Sequence, residues 1–117
     1  MTNNRYQRGE DIQFYLDPSK IEGYTAETDI RIVLCPNNID LNKESSKDKI
    51  VVLTPVSDGE NLVFMATHEI TSTMAVGDYD LEMVYTIGTH RSICKSYNAF
   101  SLEDSASNYI NTASDED

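Results

Sequence analysis

The residues of this sequence that could do chemistry are few, and their spacing does not suit it. His68-Glu69 has the start of a zinc-protease pair, in which two histidines one helical turn apart hold the metal and the glutamate acts as base. The second histidine is absent at that spacing, and the surrounding residues read as β. His90 and Cys94 could form a base and a nucleophile. On a strand, residues four apart share a face but lie about 13 Å apart, beyond hydrogen-bond reach. The serines lack a Gly-x-Ser-x-Gly elbow, and no glycine-rich phosphate loop is present. Asp78, Asp80 and Glu82 alternate on one face, and Asp58-Gly59-Glu60 sits in a turn. Calcium takes such carboxylates, but the EF-hand spacing is missing, and a solvated sheet face is the preferred reading. The expectation is a chain with no catalytic, cofactor or metal site, and not an enzyme.

The elements that would have to position these residues are strands, because a period of two dominates the hydrophobic pattern. Ile12, Phe14 and Leu16 alternate with Asp11, Gln13 and Tyr15, and Asp17-Pro18-Ser19 ends that run. Ile30, Ile32 and Leu34 form a second run, stopped by Pro36-Asn37-Asn38. Lys49 to Thr54 is β-branched and closed by Pro55; with the turn Ser57-Asp58-Gly59-Glu60 and the run Asn61 to Thr67, residues 49–67 read as a hairpin. From Asp78 to Thr86, Tyr79, Leu81, Met83 and Tyr85 point one way, and Asp78, Asp80 and Glu82 the other. Gly88-Thr89 reverses the chain into a last strand, His90 to Leu102, whose faces blur around 96–99 in the manner of a bulge. Segment 68–76 reads as a strand or strand plus turn, with a short helix as the alternative. The expected core holds Phe14, Ile32, Phe64, Leu81 and Met83.

Composition narrows the partners. The chain has 117 residues, enough for one domain with its own core, and a net charge of -11 from 20 acidic and 9 basic residues. So few cations leave little to neutralise phosphates, which argues against nucleic acid and anionic membranes and suits a basic protein surface, or solubility alone. Met1 to Tyr6 has no apolar run after its charges, so no signal peptide is expected, and no window is long enough to span a membrane. The two cysteines, Cys35 and Cys94, form no metal-type cluster and are expected to stay reduced. Tryptophan is absent, which weakens a glycan-binding platform without removing a tyrosine one.

About seven short strands at this spacing predict an all-β, two-sheet sandwich of the immunoglobulin-like kind, mainly antiparallel. Met74 to Leu81 is the most informative stretch. Gly77 would turn a corner with positive φ, and Tyr79 would bury its ring while its hydroxyl satisfies backbone just upstream. The alternative is a half-buried strand tyrosine. The run Gly9 to Phe14, then Gly77 to Glu82, then a hairpin returning through Arg91-Ser92-Ile93, resembles immunoglobulin-like domains of tailed-bacteriophage structural proteins over residues 9–102. Those occur in capsid decoration and auxiliary proteins, including those of crAss-like phages, and in tail and baseplate proteins.

That resemblance implies a virion protein made in the host cytoplasm, a capsid auxiliary subunit bound to the major capsid protein or to other virion subunits. The alternatives are a tail or baseplate component, and a free-standing protein- or carbohydrate-binding module. The domain reading is an N-terminal arm over 1–9, a sandwich over 10–102 and an acidic tail over 103–117. Loops and termini are the usual contact elements of such sandwiches. Arg5, Tyr6 and Arg8 in the arm, and Tyr109 and Ile110 in the tail, are therefore the candidate contacts, ordered against neighbouring subunits or else ordinary frayed ends. The polar connection Asn37 to Asp48 is the other candidate.

Overall fold

The computed structural model describes residues 4–58 and 60–109. Among these residues eight strands form two sheets: β1 (Asn4–Gln7), β2 (Ile12–Leu16), β3 (Asp29–Pro36), β4 (Val51–Leu53), β5 (Pro55–Asp58), β6 (Asn61–Ala66), β7 (Gly77–Ile87) and β8 (His90–Glu103). One sheet has five strands in the order β1-β8-β7-β3-β4, and the other has three in the order β2-β6-β5. The fold is therefore mostly β with two sheets, and the larger sheet is mixed, because β1 runs parallel to β8.

The two sheets close on one core. Ile30, Ile32, Leu34, Tyr79, Phe100 and Leu102 come from the larger sheet, and Ile12, Leu62, Phe64 and Ala66 from the smaller. The alternation of apolar residues along each strand places them there, since successive side chains of a strand point to opposite faces. Phe14, Leu81 and Met83 join the same cluster as half-buried members.

Four parts of the chain depart from the sequence reading. The first is Asn4–Gln7, within the expected arm, which forms a strand in register with Phe100–Glu103. It has one inward aromatic, Tyr6, and an edge strand needs little more, so its polar composition concealed it. The second is the 49–67 hairpin. β4 pairs with β3, whereas only β5 and β6 pair with each other. Thr54 separates two strands of different sheets, and Pro55, which has no N–H to donate, opens the edge strand β5.

The third is segment 68–76, where the preferred strand is replaced by a short helix, α1 (His68–Thr71). Residues distant in sequence anchor it. Asp11 Oδ1 accepts from the His68 backbone N–H at 2.5 Å and lies 3.0 Å from the His68 ring Nδ1. That backbone hydrogen bond holds the Asp11 carboxyl below its ordinary range. Thr71, fully buried, donates to the Glu10 carbonyl at 2.9 Å and accepts from the Gly9 N–H at 3.0 Å. Ile70 and Met74, four residues apart, turn toward the core, and Met74 is buried.

The fourth is Asp80, expected on a solvated face but only 7% exposed. The register of β7 on β8 shifts between Tyr79 and Leu81, so β8 carries extra residues at this point. Asn98 sits in the bulge with φ of 52°, a conformation asparagine tolerates. Its backbone N–H donates to Asp80 Oδ1 at 2.9 Å. A carboxylate thus satisfies backbone freed by the bulge, and Lys95 Nζ lies 3.9 Å from Asp80 and 3.7 Å from Glu82.

Candidate interaction site

Residues from opposite ends of the sequence meet at the C-terminal end of β8. β1 lies beside that end, and the Arg8 N–H extends the ladder by donating to the Glu103 carbonyl at 2.7 Å. Arg5 Nη1 lies 3.7 Å from Glu103 Oε2, and Arg8 Nε lies 4.0 Å from Asp104 Oδ1. Past β8, a 3-10 turn over Ala106–Tyr109 brings the Tyr109 hydroxyl back to donate to the Asp104 carboxylate. That hydrogen bond, with the negative charge beside it, pushes the Tyr109 phenol up.

Arg5, Arg8 and Tyr109 therefore converge on the acidic pair Glu103-Asp104. Tyr109 is 73% exposed, and the Arg5 and Glu103 side chains are also open to solvent. An ion pair so exposed adds little to stability, so these side chains are available to a partner at small cost to the fold. Arg8 is less open. Its side chain helps line a cleft of about 630 Å³ with Asp48, Lys49, Ser72, Thr73 and Tyr79. Tyr6 faces the other way and packs edge-on against Phe100, with centroids 5.9 Å apart. Ile110 lies outside the described residues. The Asn37 to Asp48 connection carries a 3-10 helix over Glu44–Lys49, with Ser46 buried.

Gly77 and Tyr79 frame the turn at the start of β7. Gly77 has φ of 133°, which side-chain-bearing residues rarely adopt, and nothing lies within 4 Å of the place a Cβ would take. Backbone conformation, not crowding, is thus what favours glycine there. Tyr79 is 1% exposed, and its hydroxyl donates to the Ala75 carbonyl at 2.7 Å. Burial raises the Tyr79 phenol above its ordinary range.

The residues that suggested chemistry lie apart. His68 is held by Asp11, at the opposite end of β6 from the β5–β6 turn, and His90 opens β8 at the β7–β8 turn. Among the described residues no group of three or more His, Cys, Asp and Glu is placed to hold a metal ion. Cys35 pairs with Asp80 on the outer face, whereas Cys94 pairs with Met83 on the inner face, with β7 between their strands. Two strand spacings, about 9–10 Å, exceed disulfide reach, and the side chains point to opposite faces. Both thiols are free; Cys35 is buried and Cys94 exposed. Burial, then the nearby Glu82 charge, pushes the Cys35 thiol up. Alkylation of the native protein is expected to label Cys94 alone, and Cys35 only after unfolding. Equal labelling of both in the native state would refute that placement.

The apolar positions on the outer faces are not legible in the sequence. On the larger sheet, Val33 stands beside Val52 and Val84 beside Ile93, two apolar pairs set diagonally, with Arg31, Glu82 and Lys95 opposite or between them. Val52 is 52% and Ile93 51% exposed. Lys95 Nζ also lies 4.8 Å from the centroid of the exposed Tyr97 ring. On the smaller sheet, Tyr15, Val63 and Val56 stand side by side. The signal was present in Tyr15 and Tyr97, both at outward positions, but which valines join them depends on register. No protein-family model matches the chain, and no curated protein matches it.

Proposed function

We propose that this chain is an immunoglobulin-like binding module without enzymatic activity, serving as an auxiliary subunit on the surface of a phage capsid. The strand order carries the reading. β8-β7-β3-β4 facing β2-β6-β5 corresponds to strands G-F-C-C′ facing B-E-D of a variable-type immunoglobulin sandwich. Tyr79, at the start of the strand corresponding to F, with its hydroxyl on the Ala75 carbonyl, supports the same reading. The capsid setting rests on the resemblance over residues 9–102. A surface with net charge -11 suits a basic docking site on such a particle.

The terminal cluster is the contact in this proposal, because it presents two arginines and an exposed tyrosine, types favoured at interfaces. Arg5→Ala and Tyr109→Ala test it. Both variants are expected to unfold at the wild-type urea midpoint and to bind particles about tenfold or more weakly, the effect of losing one strong contact. Unchanged particle binding by both variants would move the contact to the sheet faces or to the 37–48 connection.

A further inference from the structure

β2 is an open edge of the smaller sheet. β6 takes one side of it, and on the other side no strand pairs with it among the described residues. The remaining edges are short or interrupted: β4 has three residues, β1 carries Arg5, and β5 opens with Pro55. Such features are the usual means of keeping an edge from pairing with another chain. β2 has none of them. Its sequence, Ile12-Gln13-Phe14-Tyr15-Leu16, is uncharged, free of glycine and proline, and rich in strand-forming residues. Beside it, between the two sheets, runs a groove of about 390 Å³ lined by Tyr6, Phe14, Leu16, Leu81, Met83 and Phe100, among others. A strand added to β2 would satisfy the unpaired backbone and lay alternate side chains over this groove.

Charge decides between a second copy and a different partner. β2 is flanked by Asp11 and Asp17, both exposed. Pairing the whole of β2 antiparallel with β2 of another copy centres the contact on Phe14. Asp11 then stands opposite Asp17 at both ends, and like charges directly opposed destabilise a strand pair. The chain's own acidic C-terminal residues, Asp115 to Asp117, carry the same sign. The same two carboxylates favour a strand that brings a cation to each end.

We propose that the open edge of β2 accepts an extended strand of another protein, with apolar residues at alternate positions and a lysine or arginine at each end. This site is separate from the terminal cluster and holds whatever particle the chain belongs to. The test is a titration of the full chain, followed by amide NMR, with the peptides Lys-Val-Thr-Val-Thr-Val-Lys and Glu-Val-Thr-Val-Thr-Val-Glu. The lysine peptide is expected to shift the amides of residues 12–16 and to bind about tenfold more tightly at low salt, a preference that shrinks as salt rises. Asp11→Asn with Asp17→Asn keeps both side-chain acceptors, so it is expected to fold and to lose the preference. Four results would overturn the proposal: no shift of β2 amides with either peptide, equal affinity for both, a wild-type dimer joined through β2, or β2 edge amides already protected from exchange in the free monomer.

Discussion

Phe100→Ala is expected to destabilise the protein by about 3–5 kcal/mol, the usual cost of deleting a buried aromatic ring. Phe100 is 1% exposed and is where the strands of both sheets meet. Its ring stacks on Tyr79 of β7 with centroids 5.1 Å apart and planes within 1°. It also meets Tyr6 of β1 edge-on and Phe14 of β2 at a tilt, each with centroids 5.9 Å away. Alanine removes all three contacts and leaves a cavity between the sheets that the opposed strands cannot easily close. For a domain whose whole stability is about 5–15 kcal/mol, that is a large fraction. Urea denaturation of the variant measures it. Phe100→Leu retains most of the volume and is expected to cost less. A Phe100→Ala midpoint equal to that of wild type would mean that Phe100 does not join the sheets.

Two substitutions at Tyr79 separate its ring from its hydroxyl. Tyr79→Ala is expected to cost about as much as Phe100→Ala, because it deletes the other half of the same stack. Tyr79→Phe retains the ring and loses only the bond to the Ala75 carbonyl, at an expected cost of about 1 kcal/mol. Ala75 is itself exposed, so water can partly replace the lost donor, and this keeps the second cost small. If Tyr79→Phe unfolds at the wild-type urea midpoint, the hydroxyl contributes nothing to the turn.

The core of the fold was legible where one face of a strand is apolar and the other is not. Ile30, Ile32 and Leu34 in β3, and Phe64 in β6, gave their inward direction through alternation alone. The pattern failed where the backbone, not the side chains, decides. β1 holds its place by ladder hydrogen bonds and one ring, and its polar sequence gives no sign of that. The passage between sheets at Thr54 is a long-range choice, because Val51–Leu53 would suit either sheet by propensity. α1 depends on Asp11, 57 residues away from His68. Asp80 is buried because a bulge in the neighbouring strand exposes a backbone N–H to it, and a period-two pattern cannot express that.

The candidate site was legible as a set of residue types but not as a place. Arg5, Arg8 and Tyr109 are interface-favoured types in polar segments, and pairing of β1 with β8 brings them to Glu103 and Asp104. Tyr6, of equally favoured type, alternates with Arg5 and so faces the core. The open edge of β2 could not be read at all, since which strand lies at an edge is a property of the sheet order.

Association with a particle is the claim on which the functional account turns, and sedimentation tests it directly. Intact phage particles from the native source would be banded on a density gradient, and their proteins identified by mass spectrometry. This chain is expected in the particle band, at a fixed ratio to the major capsid protein across the gradient. Particles free of the chain, with all of it in the soluble fraction, would contradict it.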